Sequence, residues 1–173
     1  MLCRGARRSG WSAALLLVAP CLFAQGVPDD AAIKARVAMA VARFAEIPME
    51  QDVAPRPLRL CVAARGQPPR ALLELAREKI GANGVEVNPG PVYVACDVLY
   101  VHSSFPDWRR LLAEPRAPAL TVGDVPGFVA AGGMIELVID NDSVRFDVNL
   151  AALRQQRIRL PSQVLKLARQ VRN

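Results

Sequence analysis

The sequence predicts an α/β fold: a three-layer α-β-α domain with a mixed, mostly parallel sheet and a C-terminal antiparallel hairpin. Three observations predict it. Short apolar, β-branched runs alternate with helical patterns, as in layered α/β domains. The run Val92–Val101, VYVACDVLYV, is apolar at nearly every position, as a parallel strand covered on both faces must be. Met134–Ile139 and Val144–Val148 flank the turn Asp140–Ser143 and read as a hairpin.

The elements follow in order. Asp29-Asp30 opens a helix whose apolar positions run from Ala31 to Phe44, with acids at the positive end of the helix dipole. Pro48 and the stretch Gln51–Pro57 end it as a linker. Leu58–Ala64 reads as a buried strand. Pro69 starts a helix running to Ile80, stopped at Gly81 or Gly84. Val85–Val87 is a short strand, Val92–Val101 a longer one, and Pro106 begins a helix with Trp108, Leu111 and Leu112. Ala119–Val122 is a strand, Val125–Ala131 a short helix released by Gly132-Gly133, and the hairpin follows. Leu150–Gln155 and Ser162–Val171 close the chain as helices, Ser162 acting as N-cap. The layout is similar to a truncated flavodoxin or receiver fold, with no internal repeat.

The start of the chain reads as an export signal. Arg4, Arg7 and Arg8 precede Trp11–Ala24, an apolar stretch too short to span a bilayer, which takes about 20 residues. Residues 1–26 are expected to be removed, leaving 27–173 as one domain with no further span of membrane length. Pro20 before Cys21 argues against lipidation there. Removal takes three of the 22 basic residues and no acid, so the net charge falls from +6 to +3. Nothing in that balance marks nucleic-acid binding. Arg154, Arg157, Arg159, Lys166, Arg169 and Arg172 make the C-terminus basic, read as a solvated helix face or a surface toward an acidic partner or anionic lipid.

Cys3 and Cys21 leave with the signal, so Cys61 and Cys96 remain. Two cysteines in an exported chain allow one internal bridge. Each falls in a predicted central strand, and in a flavodoxin-like order those strands are neighbours. The residues themselves read as a buried staple. Catalysis needs more than the sequence offers. His102 is the lone histidine, about 20 Å along an extended strand from Cys96, too far to activate it. No set of donors has a metal spacing, and Asp140-Asn141-Asp142 lacks the glutamate of a calcium loop. Gly132-Gly133 follows a helical pattern instead of opening one, so it is no phosphate cradle. No catalytic residue, metal or cofactor is expected.

Gly123-Asp124, Gly127-Phe128, Gly132-Gly133-Met134-Ile135, Val144-Arg145-Phe146, Val148-Asn149-Leu150 and the run Leu160–Ala168 carry a resemblance. In order and spacing they resemble the C-terminal signature of the YfiR-like periplasmic proteins, repressors of membrane-bound diguanylate cyclases. The positions of Cys61 and Cys96 match cysteines of that family, which is linked to redox sensing. A second pair that some members carry is missing here. The chain also has Ile47-Pro48 where the family often has Trp-Pro, so no contact of that tryptophan carries over. Asn149, between strand and helix, is placed to cap the helix.

The resemblance implies a periplasmic, non-catalytic regulator. Its partner would be the periplasmic sensor domain of an inner-membrane diguanylate cyclase, with effects on cyclic-di-GMP signalling and biofilm formation. It further implies homodimers, and a hydrophobic partner-binding patch drawn from Phe128, Met134, Ile135, Phe146 and Asn149. The same hydrophobic residues also fit a plain core role. A periplasmic small-molecule-binding module, with its ligand at the switch point of the sheet, is the alternative.

Overall fold

The structure is a computed structural model and describes residues 30–48, 56–77, 79–80, 83–89, 95–114 and 118–173. The predicted signal, residues 1–26, lies outside them, as do Asp29, most of the linker after Pro48, Gly81 and Val92–Val94.

Helix α1 spans Asp30–Phe44, followed by β1 (Leu58–Ala63), α2 (Arg70–Glu74), β2 (Lys79–Ile80), β3 (Asn83–Pro89), β4 (Val98–Val101), α3 (Trp108–Ala113) and β5 (Leu120–Gly123). The chain continues as β6 (Ile135–Asp140), β7 (Ser143–Asn149), α4 (Leu150–Gln155), α5 (Ser162–Leu165) and β8 (Gln170–Arg172). These strands form one sheet in the order β2-β3-β1-β4-β5-β6-β7-β8. Its centre, β3-β1-β4-β5-β6, is parallel and keeps the flavodoxin-like order. The hairpin partner β7 runs antiparallel to β6, and β2 antiparallel to β3. The expected mixed, mostly parallel α/β architecture is therefore present.

Strand alternation divides the apolar side chains between two cores. Leu60, Val62, Val98, Tyr100, Leu120, Val122, Ile135 and Val148 face one, packed against Ala35, Ala38 and Met39 of α1 and Leu72 of α2. Cys61, Ala63, Leu99 and Val101 face the other, with Trp108 and Leu111 of α3 and with Val125 and Phe128. The sheet is thus covered on both faces, which is why its central strands read as unbroken apolar runs.

Five local expectations are corrected. The helix from Pro69 ends in a 3₁₀ turn at Leu75–Arg77, and Lys79–Ile80 pair with Gly84 and Asn83 instead of extending it. Pro69 occupies the N-cap (ψ 136°), so its ring precedes the helix. Cys96 lies in the irregular segment ahead of β4, not inside the strand. Val125–Gly132 forms linked turns and no helix, because Gly127 at φ +80° breaks the helical path. The final segment makes a single helical turn with Pro161 at the N-cap position. It then becomes an edge strand, drawn onto β7 by the Arg169 amide, which donates to the Phe146 carbonyl at 2.8 Å. The C-terminal basic residues consequently share no helix face. Arg157 sits at φ +58° in a turn, Arg159 bridges Glu46, and Arg172 is in β8.

The hairpin turn itself is as read. Asn141 (φ 48°) and Asp142 (φ 58°) both adopt the left-handed conformation of a two-residue turn that matches strand twist.

Candidate functional site

Thr121, Gly123, Gly133, Glu136 and Asn149 surround the Val125–Gly132 turn and fasten it to the sheet. Phe128 is fully buried against Trp108, ring centroids 5.8 Å apart. Gly123 of β5 and Gly133 before β6 leave room for its ring: a Cβ at Gly123 would stand 2.5 Å from the nearest ring carbon, and one at Gly133 would also collide with the ring. Glu136, pointing to the same face from β6, accepts the Gly127 amide at 2.9 Å and the Val129 amide at 3.0 Å. Thr121 Oγ1 accepts the Met134 amide at 3.0 Å. Asn149 joins turn to helix: its Nδ2 donates to the Val129 carbonyl (3.2 Å), and its Oδ1 accepts the Ala152 amide (3.0 Å), capping α4. Nearly every backbone group of a sharp, buried turn must find such a partner.

The expected patch residues fall on both sides of the sheet. Phe128 belongs to the core under α3, whereas Met134, Ile135 and Phe146 belong to the core under α1. All four are buried and Asn149 is half-buried. In this conformation they support the surface from beneath and do not form one exposed patch. Glu136 and Thr121, the polar clamps of the turn, had no legible signal in the sequence beyond a carboxylate and a hydroxyl at inward positions of strands.

Cys61 and Cys96 are joined by a disulfide with Cα atoms 5.7 Å apart. The bridge is buried in the second core. Beside it, Asp97 ties the same two segments electrostatically. Arg56 donates two hydrogen bonds to its carboxylate, at 2.6 and 2.7 Å, and the Arg59 amide donates a third at 2.8 Å. Burial pushes the Asp97 carboxyl upward, but the Arg56 hydrogen bonds, the Arg59 amide and both arginine charges outweigh it and hold it below its ordinary value. The same hydrogen bonds raise Arg56.

His102, Ser103 and Ser104 stand at the carboxyl end of β4, where a doubly wound sheet has its crevice. Here the crevice is crossed by hydrogen bonds. The His102 amide donates to the Ala63 carbonyl (2.9 Å), the Arg65 amide to Ser104 Oγ (3.1 Å), and the Ser103 amide to Asp124 Oδ1 (2.5 Å). Asp124 also faces Lys34 of α1 at 3.6 Å and His102 Nε2 at 3.9 Å. The Ser104 amide donates to His102 Nδ1 at 3.1 Å, which leaves the proton of the neutral ring on Nε2, toward Asp124. Burial pushes the Tyr100 hydroxyl well up, and the Asp124 carboxylate it bonds adds to the shift. The cluster locks α1 to the ends of β4 and β5.

Two concave surfaces stand out among the described residues. A cavity of about 380 Å³ lies at the amino ends of β5 and β6, lined in part by Leu112, Thr121, Met134, Gln155 and Gln156. An open apolar groove of about 290 Å³ runs between α1, β7 and α5, with Phe44 and Leu167 exposed beside it.

No curated protein matches the chain in sequence. Among solved structures, it is similar to one described as the ABC domain in complex with L-Trp from Streptococcus pneumonia, at a TM-score of 0.52 and 13% identity. The likeness covers 82% of this chain and 60% of that one, so this chain spans under two thirds of that structure's length. At that identity it concerns the fold alone. The family profile described as YfiR/HmsC-like matches residues 31–169, from the first turn of α1 through Arg169, whose side chain clasps Asp147. That match spans most of the chain, and this chain belongs to the YfiR/HmsC-like family.

Proposed function

We propose that the protein is an exported, periplasmic regulator without catalytic activity of its own. It binds the periplasmic sensor domain of an inner-membrane diguanylate cyclase and restrains it, lowering cyclic-di-GMP and biofilm formation. The observation that carries this reading is the family match across residues 31–169. The buried Cys61–Cys96 bridge supports it, since such bridges persist in oxidising compartments outside the cytoplasm. Among the described residues no helix is long and apolar enough to cross a membrane. Restraint follows from population shift: the regulator binds the inactive conformation of the cyclase more tightly than the active one.

Deletion in the native host tests this. Raised cyclic-di-GMP and more biofilm, reversed by re-expression, are expected. Unchanged levels in a host with cyclases that carry periplasmic domains overturn the reading.

A second reading, a small-molecule-binding module, draws on the cavity between α3, α4 and β5, whose volume suits a small ligand. It sits at the amino ends of the strands, opposite the crevice where such folds usually bind. Thermal-shift screening of the mature chain against a metabolite panel separates the two, because a ligand that binds the folded state raises its melting temperature.

A further inference from the structure

We infer that the groove between α1, β7 and α5 is a docking seat for a partner segment whose apolar side chains are flanked by acids, on the periplasmic part of a membrane protein. This rests on the reading of the chain as a regulator of a membrane-bound cyclase and deepens it by naming the surface.

The groove walls are Val37, Val41 and Phe44 of α1, Phe146 of β7, and Val164 and Leu167 beside α5. Phe44 is 59% exposed and Leu167 66%, so two large apolar side chains face water on either side of a concave floor. Exposed apolar area of this kind, rimmed by charge, marks interaction surfaces. From Val37 to Phe44 is two helical turns, roughly 10 Å at 1.5 Å per residue. That length accepts a short helical or extended segment with one or two anchoring side chains. The volume of about 290 Å³ and the open shape suit anchors from a larger partner better than an enclosed ligand.

The rim selects acids. Arg145 lines the groove, Arg36 stands one turn before Ala40 on α1, and Lys166 lies between Val164 and Leu167. Among the described residues no acid pairs with these three. Of the acids on these elements, Asp140 and Asp142 sit at the hairpin tip, Asp147 is buried and engaged by Arg169, and Glu46, two residues past Phe44, is exposed where its backbone pairs with Arg159, so three cations face the groove against one carboxylate at its end. Opposite charge across an interface steers encounter and fixes register. The same rim disfavours a second copy, since a two-fold contact through the groove brings each cationic rim against its equivalent. A bilayer is disfavoured by shape: the apolar surface is concave, whereas insertion needs apolar side chains that project together.

The test places the photo-crosslinker p-benzoylphenylalanine at position 44, and separately at 167, in the full chain in its native host. Both side chains are exposed, so neither replacement disturbs the core. Leu73 on α2, 37% exposed, is the control position. Irradiated cells are analysed by mass spectrometry of the crosslinked peptides. The expected product joins position 44 or 167 to a periplasmic segment of an integral membrane protein with apolar residues flanked by Asp or Glu. Position 73 gives no such product, and Arg145→Glu lowers the yield about tenfold, the loss of one ion pair of roughly 1.4 kcal/mol. Products with a second copy only, with phospholipid only, equal at position 73, or no product at all overturn the groove. A product on a membrane protein lacking a cyclase domain keeps the groove and removes the cyclase reading. A cyclase co-purified by the wild-type chain, with no product from 44 or 167, does the reverse.

Discussion

The ring of Phe128 occupies the space that a side chain at Gly133 would need, and Gly123 clears its opposite side. The glycines of the signature therefore serve packing. They allow a buried aromatic ring to lie between two strands' ends, under Trp108.

Gly133→Ala and Gly123→Ala are expected to destabilise the fold by about 2–3 kcal/mol each, the cost of overpacking where the displaced group is a wedged aromatic ring. Phe128→Ala removes the ring and is expected to cost about 3–5 kcal/mol. In the double variant Gly133→Ala/Phe128→Ala the glycine penalty should largely vanish. Denaturant melts of the four proteins check the coupling, and additive losses would contradict it.

Glu136 accepts two amides of a turn that its own strand supports. Glu136→Gln replaces one accepting oxygen by a donor and leaves an amide facing it, an expected loss of about 1–3 kcal/mol. Amide hydrogen exchange at Gly127 and Val129 should quicken with it, more than at Val148 in the sheet.

Asn149→Ala loses both the α4 cap and the bond to the Val129 carbonyl, an expected 1–2 kcal/mol or so. Asn149→Asp keeps the cap oxygen but sets a carboxylate oxygen against the Val129 carbonyl in place of the donor. It should therefore melt below the wild type despite its intact cap, as thermal melts of both variants will show.

The Cys61–Cys96 bridge closes a 35-residue separation, for which the chain-entropy model gives about 3–4 kcal/mol. Reduction or the double Cys→Ser variant should lower the melting temperature by roughly 10 °C in a domain of this size. Folding should nonetheless survive, because the β1–β4 ladder and the Arg56–Asp97 pair join the same segments. Circular dichroism of the reduced protein decides this.

Asp97 titrates below its ordinary value of 3.8. Its ionised form is favoured by folding, so the associated stability is present above that value and is lost as pH falls through the lower folded value. Asp97→Asn is expected to destabilise at neutral pH by about 2–3 kcal/mol, since it leaves Arg56 and Arg59 facing a neutral group in a partly buried site. It should also flatten the acid limb of the stability curve. A limb unchanged by the substitution would assign acid unfolding to other carboxylates.

The alternation of apolar runs determined the sheet and its two covered faces, because burial on both sides demands continuous hydrophobicity along each central strand. The spacing of Asn141-Asp142 between two such runs determined the hairpin, since those residues tolerate the left-handed backbone. The signature glycines were legible as a set, but not their purpose. Where competing local and long-range bonds met, only the tertiary structure decided. Ser162–Val171 has a helical pattern, yet Arg169 reaches Asp147 with two hydrogen bonds at 2.9 and 2.6 Å and turns the chain into an edge strand. Val125–Ala131 has helical residues, but Glu136 captures its amides and Gly127 bends it. Those outcomes depend on partners outside the segment itself, Glu136 on the next strand and Asp147 on β7, which the local helical pattern does not register. The hydrophobic residues near the C-terminus likewise carry no mark of which will be covered. The fold buried Phe128, Met134, Ile135 and Phe146, and left Phe44 and Leu167 in water, because only helix placement against the sheet determines which apolar faces find cover.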